Sequence, residues 1–256
     1  MFINKFPNFK RGNILKREML ENLRDYPRDF LNIYFKDNSD GIISGADIKI
    51  KDKYIYINEG IIKFKGVIYI LNKEKKVEYF TTEEDVLIKI KIFNKQETND
   101  FTVYDSEVFI DQEIELKGNE LELGRFKLRE GAKLRAEYKD FADYSTEYNV
   151  INRINVKYSG IENPTISPVI IKSFAKILIS NSQDNLDINF AMQCLNSKIV
   201  NRIVITSYLE NRLKLNKENY NNEEIYKYLK LIAKKLQGAE DDIKVKRRRT
   251  DKIIVD

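Results

Sequence analysis

Hydrophobic positions change their period twice along the 256 residues. Over residues 46–134 apolar side chains recur at every second position. Val86, Ile88, Ile90 and Ile92 alternate with Leu87, Lys89, Lys91 and Phe93, and Ile114, Leu116, Leu121, Leu123, Phe126 and Leu128 continue the rhythm. A period of two sends successive side chains to opposite faces of a strand, so these segments read as half-buried strands. Turn-forming groups separate them at Lys51-Asp52-Lys53, Asn58-Glu59-Gly60, residues 94–100, Lys117-Gly118-Asn119 and Glu130-Gly131. Short strands at regular spacing, with no helical insert, predict an antiparallel sandwich or small barrel of about seven to nine strands. Residues 40–71 form its first meander, with Gly60 and Gly66 expected at positive φ.

The flanks carry a helical period. Asn13 is positioned to cap a helix with Leu15, Met19 and Leu23 at spacing four. Pro27 is expected to stop that helix, because Tyr26 before it is disfavoured in the α region. Phe30, Leu31, Ile33, Tyr34 and Phe35 then make a cluster that a lone arm cannot bury, so it docks on the following domain or on a neighbouring subunit. After the strands, residues 138–168 read as a connector with one strand-like run, Ile154-Asn155-Val156-Lys157-Tyr158. Ser167 as N-cap and Pro168 as first residue open a helix with Ile170, Phe174, Ile177 and Leu178 on one face. Further helices are predicted over 186–195, 200–213 and 223–236. The last carries the stripe Ile225, Leu229, Ile232 and Leu236, an Asn221/Glu224 capping box and a stop at Gly238. Residues 243–256 are too apolar for a solvated tail and read as a terminal strand or docking arm.

The expected fold class is therefore α+β, an antiparallel β-sandwich or small barrel between a helical N-terminal arm and a small helical C-terminal domain. The expected division is an attachment arm over 1–45, the β-domain over 46–136, a connector over 137–168, a helical domain over 169–238 and a basic docking arm over 239–256.

Composition restricts the chemistry. The chain has no His, no Trp and one Cys, so the commonest general base and metal ligand is missing and no intrachain disulfide can form. Cys194, inside Phe190-Ala191-Met192-Gln193-Cys194-Leu195, reads as a buried, inert thiol. No secretory leader or membrane-spanning run is apparent, so synthesis in the cytoplasm is expected. The net charge of +5 arises from 45 basic and 40 acidic residues, a mixed surface that gives little reason to expect a nucleic-acid partner.

Phosphate-binding glycine loops are absent. The best enzymatic candidate is Glu113-Ile114-Glu115-Leu116-Lys117, which with Asp105 or Asp111 could hold Mg²⁺ for phosphodiester cleavage. An amphipathic strand face accounts for the same pattern and is preferred. The alternative function, a Mg-dependent nuclease or nucleic-acid-binding accessory protein, rests on Glu115, Lys117 and the arginine run. Asp37-Asn38-Ser39-Asp40-Gly41 clusters oxygen ligands, but Ile48 stands where a calcium loop needs Glu, so an Asx-type turn is expected. No catalytic, cofactor or metal residue is assigned. The expected partner-binding residues are Phe2, Phe6, Phe9, Phe30, Tyr34, Phe35, Arg247, Arg248 and Arg249, with Tyr144, Tyr148 and Tyr158 as further surface contacts.

Three segments carry a family resemblance: Gly12-x-Ile14-Leu15-Lys16-x-Glu18-Met19-Leu20, Tyr26-Pro27-Arg28-Asp29-Phe30 and Asp40-Gly41-Ile42-Ile43-Ser44-Gly45. With the following Ile57-Asn58-Glu59-Gly60-Ile61 and Gly66 to Tyr69, they resemble baseplate-peripheral, fibre-anchoring proteins of contractile phage tails and R-type bacteriocins of clostridia and related Firmicutes. A weaker echo spans 154–175. The resemblance implies a virion structural protein without enzymatic activity or cofactor, present in several copies, contacting other baseplate proteins and a tail fibre or receptor-binding protein. It also implies a final location within a virion or phage-tail-like particle.

Overall fold

A computed structural model describes the backbone of residues 1–250 and the side chains of residues 1–238. The chain is an α+β fold: one N-terminal helix, a group of small antiparallel sheets, then four helices, with no closed barrel.

Helix α1 spans Arg17–Tyr34 and is followed by β1 Gly41–Gly45, β2 Ile48–Lys51, β3 Tyr54–Ile57, β4 Gly60–Phe64, β5 Val67–Leu71 and β6 Lys75–Glu78. These six strands form two sheets with the orders β1-β4-β5 and β2-β3-β6. Next come β7 Val86–Ile92, β8 Gln96–Glu97, β9 Thr102–Val103, β10 Ser106–Asp111 and β11 Glu120–Phe126. They give the sheet β10-β7-β11 and the two-stranded ribbon β8-β9. All strand pairs are antiparallel; β2-β3, β4-β5 and β8-β9 are hairpins, and the other pairs join strands further apart in the chain.

Two of the turns explain their glycines differently. Lys65 and Gly66, at φ 47° and 79°, make the two-residue reversal between β4 and β5, where positive φ matches the strand twist. Gly60 does not take positive φ as expected. A Cβ there would lie 2.5 Å from the Ala46 backbone nitrogen, so close approach of β1 to β4 is what requires glycine.

The central strand departs from the half-buried expectation. Val86, Ile88, Ile90 and Ile92 face the β-core, yet Leu87 and Lys89 on the opposite face are also buried. Residues 112–119, which carry the exposed Ile114 and Leu116, run outside any strand, and the Glu115 carbonyl accepts a bond from Lys89. The period-two reading of Ile114 and Leu116 therefore fails: a loop crosses the outer face of β7 and covers it.

The segment 138–168 contains no continuous strand. Isolated bridges join it to the rest of the chain, and it supplies apolar side chains to two clusters. Ile151, Val156 and Tyr158 complete the β-core. Phe141, Tyr144, Ile154 and Ile166 join the helical core. Tyr144 and Tyr158, expected at the surface, are thus buried, and Tyr148 is half-buried beneath the Arg129 guanidinium.

The helices are α2 Pro168–Asn181, α3 Asn185–Asn196, α4 Arg202–Leu213 and α5 Asn222–Thr250. Their inward stripe holds Ile170, Phe174, Leu178, Phe190, Ile205, Leu209, Ile225, Leu229 and Ile232 in one cluster. The capping box at α5 forms as read: Asn221 Oδ1 accepts from the Glu224 N–H at 2.8 Å and Glu224 Oε2 from the Asn221 N–H at 3.0 Å. Ser167 occupies the N-cap of α2, but its hydroxyl makes no capping bond. Gly238 does not end α5, which continues to Thr250 where a strand or arm was expected. Helix α1 also differs. It starts at Arg17 with Lys16, not Asn13, as N-cap, and it runs through Pro27. The missing donor at Pro27 frees the Leu23 carbonyl, which an exposed helix can leave to water.

Candidate functional site

Nothing in α1 is buried, although its sequence is strongly two-faced. Met19, Leu23, Tyr26, Phe30 and Ile33 repeat at spacings of four and three, and Leu20, Pro27, Leu31 and Tyr34 widen that stripe on one side. At 3.6 residues per turn the apolar arc is roughly 160°. Phe30 is 58% exposed, Ile33 75% and Tyr34 68%. The Phe30 and Tyr34 rings stack at 5.6 Å between centroids, and Phe35 meets Tyr34 edge-on at 4.9 Å. Phe2, Phe6 and Phe9 precede the helix and are exposed too, while Phe35 is half-buried.

The polar face of α1 is exposed as well and borders a surface crevice. Arg24, Asp25, Arg28, Asp29 and Asn32 line a crevice with Asp100, Phe101 and Thr102 of the β8-β9 hairpin. An ordinary amphipathic surface helix buries its apolar stripe; this one leaves it exposed.

A buried lysine ties down the C-terminal end of α1. Lys63 of β4 is 8% exposed, and its ammonium donates to the carbonyls of Phe35, Lys36 and Asn38 at 2.7, 2.9 and 2.6 Å. All three of its donors are used, on carbonyls just past the end of the helix, of which that of Phe35 also accepts from the Asn38 N–H. A cation is also favoured at that pole of the helix dipole. Beyond it, residues 37–42 are held to residues 157–162. Ser39 N–H donates to the Gly160 carbonyl at 2.8 Å, Glu162 N–H to the Asp37 carbonyl at 2.9 Å, and Ile42 N–H to the Lys157 carbonyl at 2.9 Å. The root of the arm is therefore rigid. In the Asp37 to Gly41 cluster, Asp40 Oδ1 accepts from the Lys65 N–H at 2.9 Å, a bond to a distant turn in place of the local Asx-type bond expected.

The residues considered for metal-assisted hydrolysis are not brought together. Asp105 and Asp111 stand at opposite ends of β10, roughly 20 Å apart at strand rise. Glu113 and Lys117 pair with each other at 2.9 Å on the exposed loop rather than on a strand. Asp111 instead accepts from the buried Lys89 at 3.0 Å, with Glu120 at 3.2 Å on the same ammonium. Burial opposes charge on Lys89, but the two carboxylates outweigh it and raise its pKa. Asp111 is lowered, first by the Glu113 N–H and then by Lys89. The group is a compensated structural ion pair. Among the described residues no three His, Cys, Asp or Glu side chains gather as metal ligands.

Cys194 is buried, and burial pushes its thiol up to about 12, which makes it inert. The side chains of Arg247, Arg248 and Arg249 lie outside the described residues. Among the described residues no helix is long and apolar enough to cross a membrane. A cleft of about 400 Å³ between β5 and β10 is floored by Ile57, Ile62, Ile90 and Leu123 and offers few polar groups for a reaction. Sequence reading missed Lys63 and Lys89. The signal was lysine inside apolar strands, Lys63 in Gly60–Phe64 and Lys89 with Lys91 in Val86–Ile92.

No protein-family model and no curated protein matches the chain. Among solved structures, a crystal structure of TssK aligns over 91% of this chain and 69% of its own, at 11% identity and a TM-score of 0.42, and a likeness this low carries no conclusion about function.

Proposed function

We propose that this chain is a non-catalytic structural component of a phage tail or phage-tail-like particle, at the baseplate periphery, joining the baseplate to a fibre or receptor-binding protein. One observation carries the assembly role: α1 is tied down at its C-terminal end by Lys63 and leaves a broad apolar stripe exposed. A monomer gains nothing from exposing that stripe, whereas an interface uses it. The setting in a tail rests on the motif resemblance over Arg11 to Leu71. Partners in this reading are other tail and baseplate proteins, with several copies per particle. Synthesis in the cytoplasm precedes incorporation, and neither cofactor nor nucleic acid takes part.

The test is genetic and structural. Deleting the gene should leave particles that lack their fibres, and electron-microscopic reconstruction of wild-type particles should place this chain between baseplate and fibre. Fibred, infectious particles from the deletion strain would refute the proposal.

A further inference from the structure

The cleft between β5 and β10 is walled by two strand edges. Lys65 and Gly66 form a two-residue turn, so the closing pair Phe64 and Val67 exchanges backbone bonds and the ladder alternates from there. Tyr69 and Leu71 therefore bond to β4, while the N–H and C=O of Ile68 and Ile70 point away from it, to the cleft side. On β10 the Phe93 N–H donates to the Asp105 carbonyl at 3.0 Å, and the same alternation turns Ser106 and Val108 away from β7. Among the described residues no backbone group pairs with Ile68, Ile70 or Val108 from across the cleft. Between the two edges lies the apolar floor of Ile57, Ile62, Ile90 and Leu123. Unpaired edges over an apolar floor match an extended segment, which bonds through its backbone and lowers alternate side chains.

We infer that Asp251-Lys252-Ile253-Ile254-Val255-Asp256 of a neighbouring copy of this chain fills the cleft as an added strand. These six residues lie outside the described structure. Their length suits the site, since six extended residues span about 20 Å and the five of β5 about 17 Å. Their composition suits it too: three β-branched apolar residues in a row, no Gly, no Pro, and a charge at either end. At period two, Ile253 and Val255 descend onto the floor, and Ile254 lies on the outer face beside Ile70, which is 60% exposed. Distance decides which copy supplies the strand. Helix α5 begins against the β-domain, where Asn222 donates to the Val156 carbonyl at 3.3 Å. Nearby Tyr158 bridges to β1, and β4 and β5 follow, which sets Tyr158 about 14 Å from β5 at one strand spacing each. The 29 residues of α5 then carry the chain about 43 Å. Thr250 thus stands upwards of about 24 Å from β5, and Ile253, three residues on, reaches about 11 Å at most. The segment cannot enter its own cleft, and a neighbour's is open to it. The inference stands apart from the reading as a tail component.

The experiment uses the full chain. Light scattering after size exclusion should give at least twice the 30.3 kDa of one chain. Ile253→Asp combined with Val255→Asp should reduce the mass to that of one chain. Ile70→Pro removes an outward N–H and no bond to β4, so it should do the same with its melting curve kept, whereas Ile70→Ala retains the N–H and should stay assembled. Mixing the Ile70→Pro chain, whose segment is intact, with the Ile253→Asp, Val255→Asp chain, whose cleft is intact, should restore a species of twice the single-chain mass. Oxidation of an Ile70→Cys, Ile254→Cys double variant should join separate chains, and the buried Cys194 does not compete. A monomeric parent or a disulfide confined to single chains would overturn the inference. So would an assembly that survives Ile253→Asp with Val255→Asp, as direct pairing of two β5 edges or packing through α1 would.

Discussion

Replacing Lys63 with Met removes the clamp at the root of α1 while keeping an unbranched side chain of similar length in β4. Three charge-assisted bonds, each worth at least about 1.5 kcal/mol net, total about 4.5 kcal/mol. Ordering a lysine side chain costs about 2 kcal/mol, which the substitution recovers in part. The carbonyls of Phe35, Lys36 and Asn38 lose the Lys63 donor together, while that of Phe35 keeps the Asn38 N–H. The expected loss is about 2–4 kcal/mol, confined to the arm because the apolar side chains of the β-core are untouched. At 1.4 kcal/mol per factor of ten this accelerates amide exchange roughly 30- to 700-fold. The amides of Phe35, Lys36 and Asn38, which donate to Leu31, Ile33 and Phe35, report it directly. Hydrogen exchange read by mass spectrometry should show that change there and little change in β7. Protection within about threefold of the parent at these amides would refute the clamp, since the factor follows directly from the energy above.

Gly66→Val should cost about 1–3 kcal/mol from backbone strain alone, because φ is 79° and the space around it is open, whereas Gly60→Val should cost more through overlap with the Ala46 backbone; two parental melting curves would contradict both readings. Asp143 is held well below the usual carboxylate range, first by bonds from Arg135 and further by the Lys139 N–H and the Thr146 hydroxyl. A lowered folded pKa means stability present above the unfolded value near 4 and lost as pH falls. Asp143→Asn should therefore cost about 2–3 kcal/mol at pH 7, with the gap to the parent closing in acid; a gap that persists at pH 2 would assign the effect to something other than charge. A chain lacking residues 1–30 should keep one cooperative melt, since neither hydrophobic cluster draws on that segment, and failure to fold would place the arm within the core. The purified chain should not cleave DNA with Mg²⁺, and cleavage that disappears in Glu115→Ala and Lys117→Ala would reverse that expectation.

Local pattern alone determined much of this protein. Period-two runs marked β7 and β11, turn residues marked the meander over 40–71, and the helical stripes of α2 and α5 were legible because backbone period and side-chain burial are coupled within a few residues. The absence of histidine removed the common catalytic solutions without any coordinates. What needed tertiary structure was every question of which segment covers which. Lys89 read as the polar face of a half-exposed strand until the loop before β11 closed over it and Asp111 and Glu120 neutralised it. Tyr144 and Tyr158 sat in a polar-looking connector, yet their burial depends on partners far away in sequence. The same holds for the arm. Sequence identified an amphipathic helix and its aromatic residues, but amphipathicity says only that one face should be dry, not what covers it. Lys63, 28 residues from Phe35, ties the end of that helix to β4, and the apolar face is left exposed.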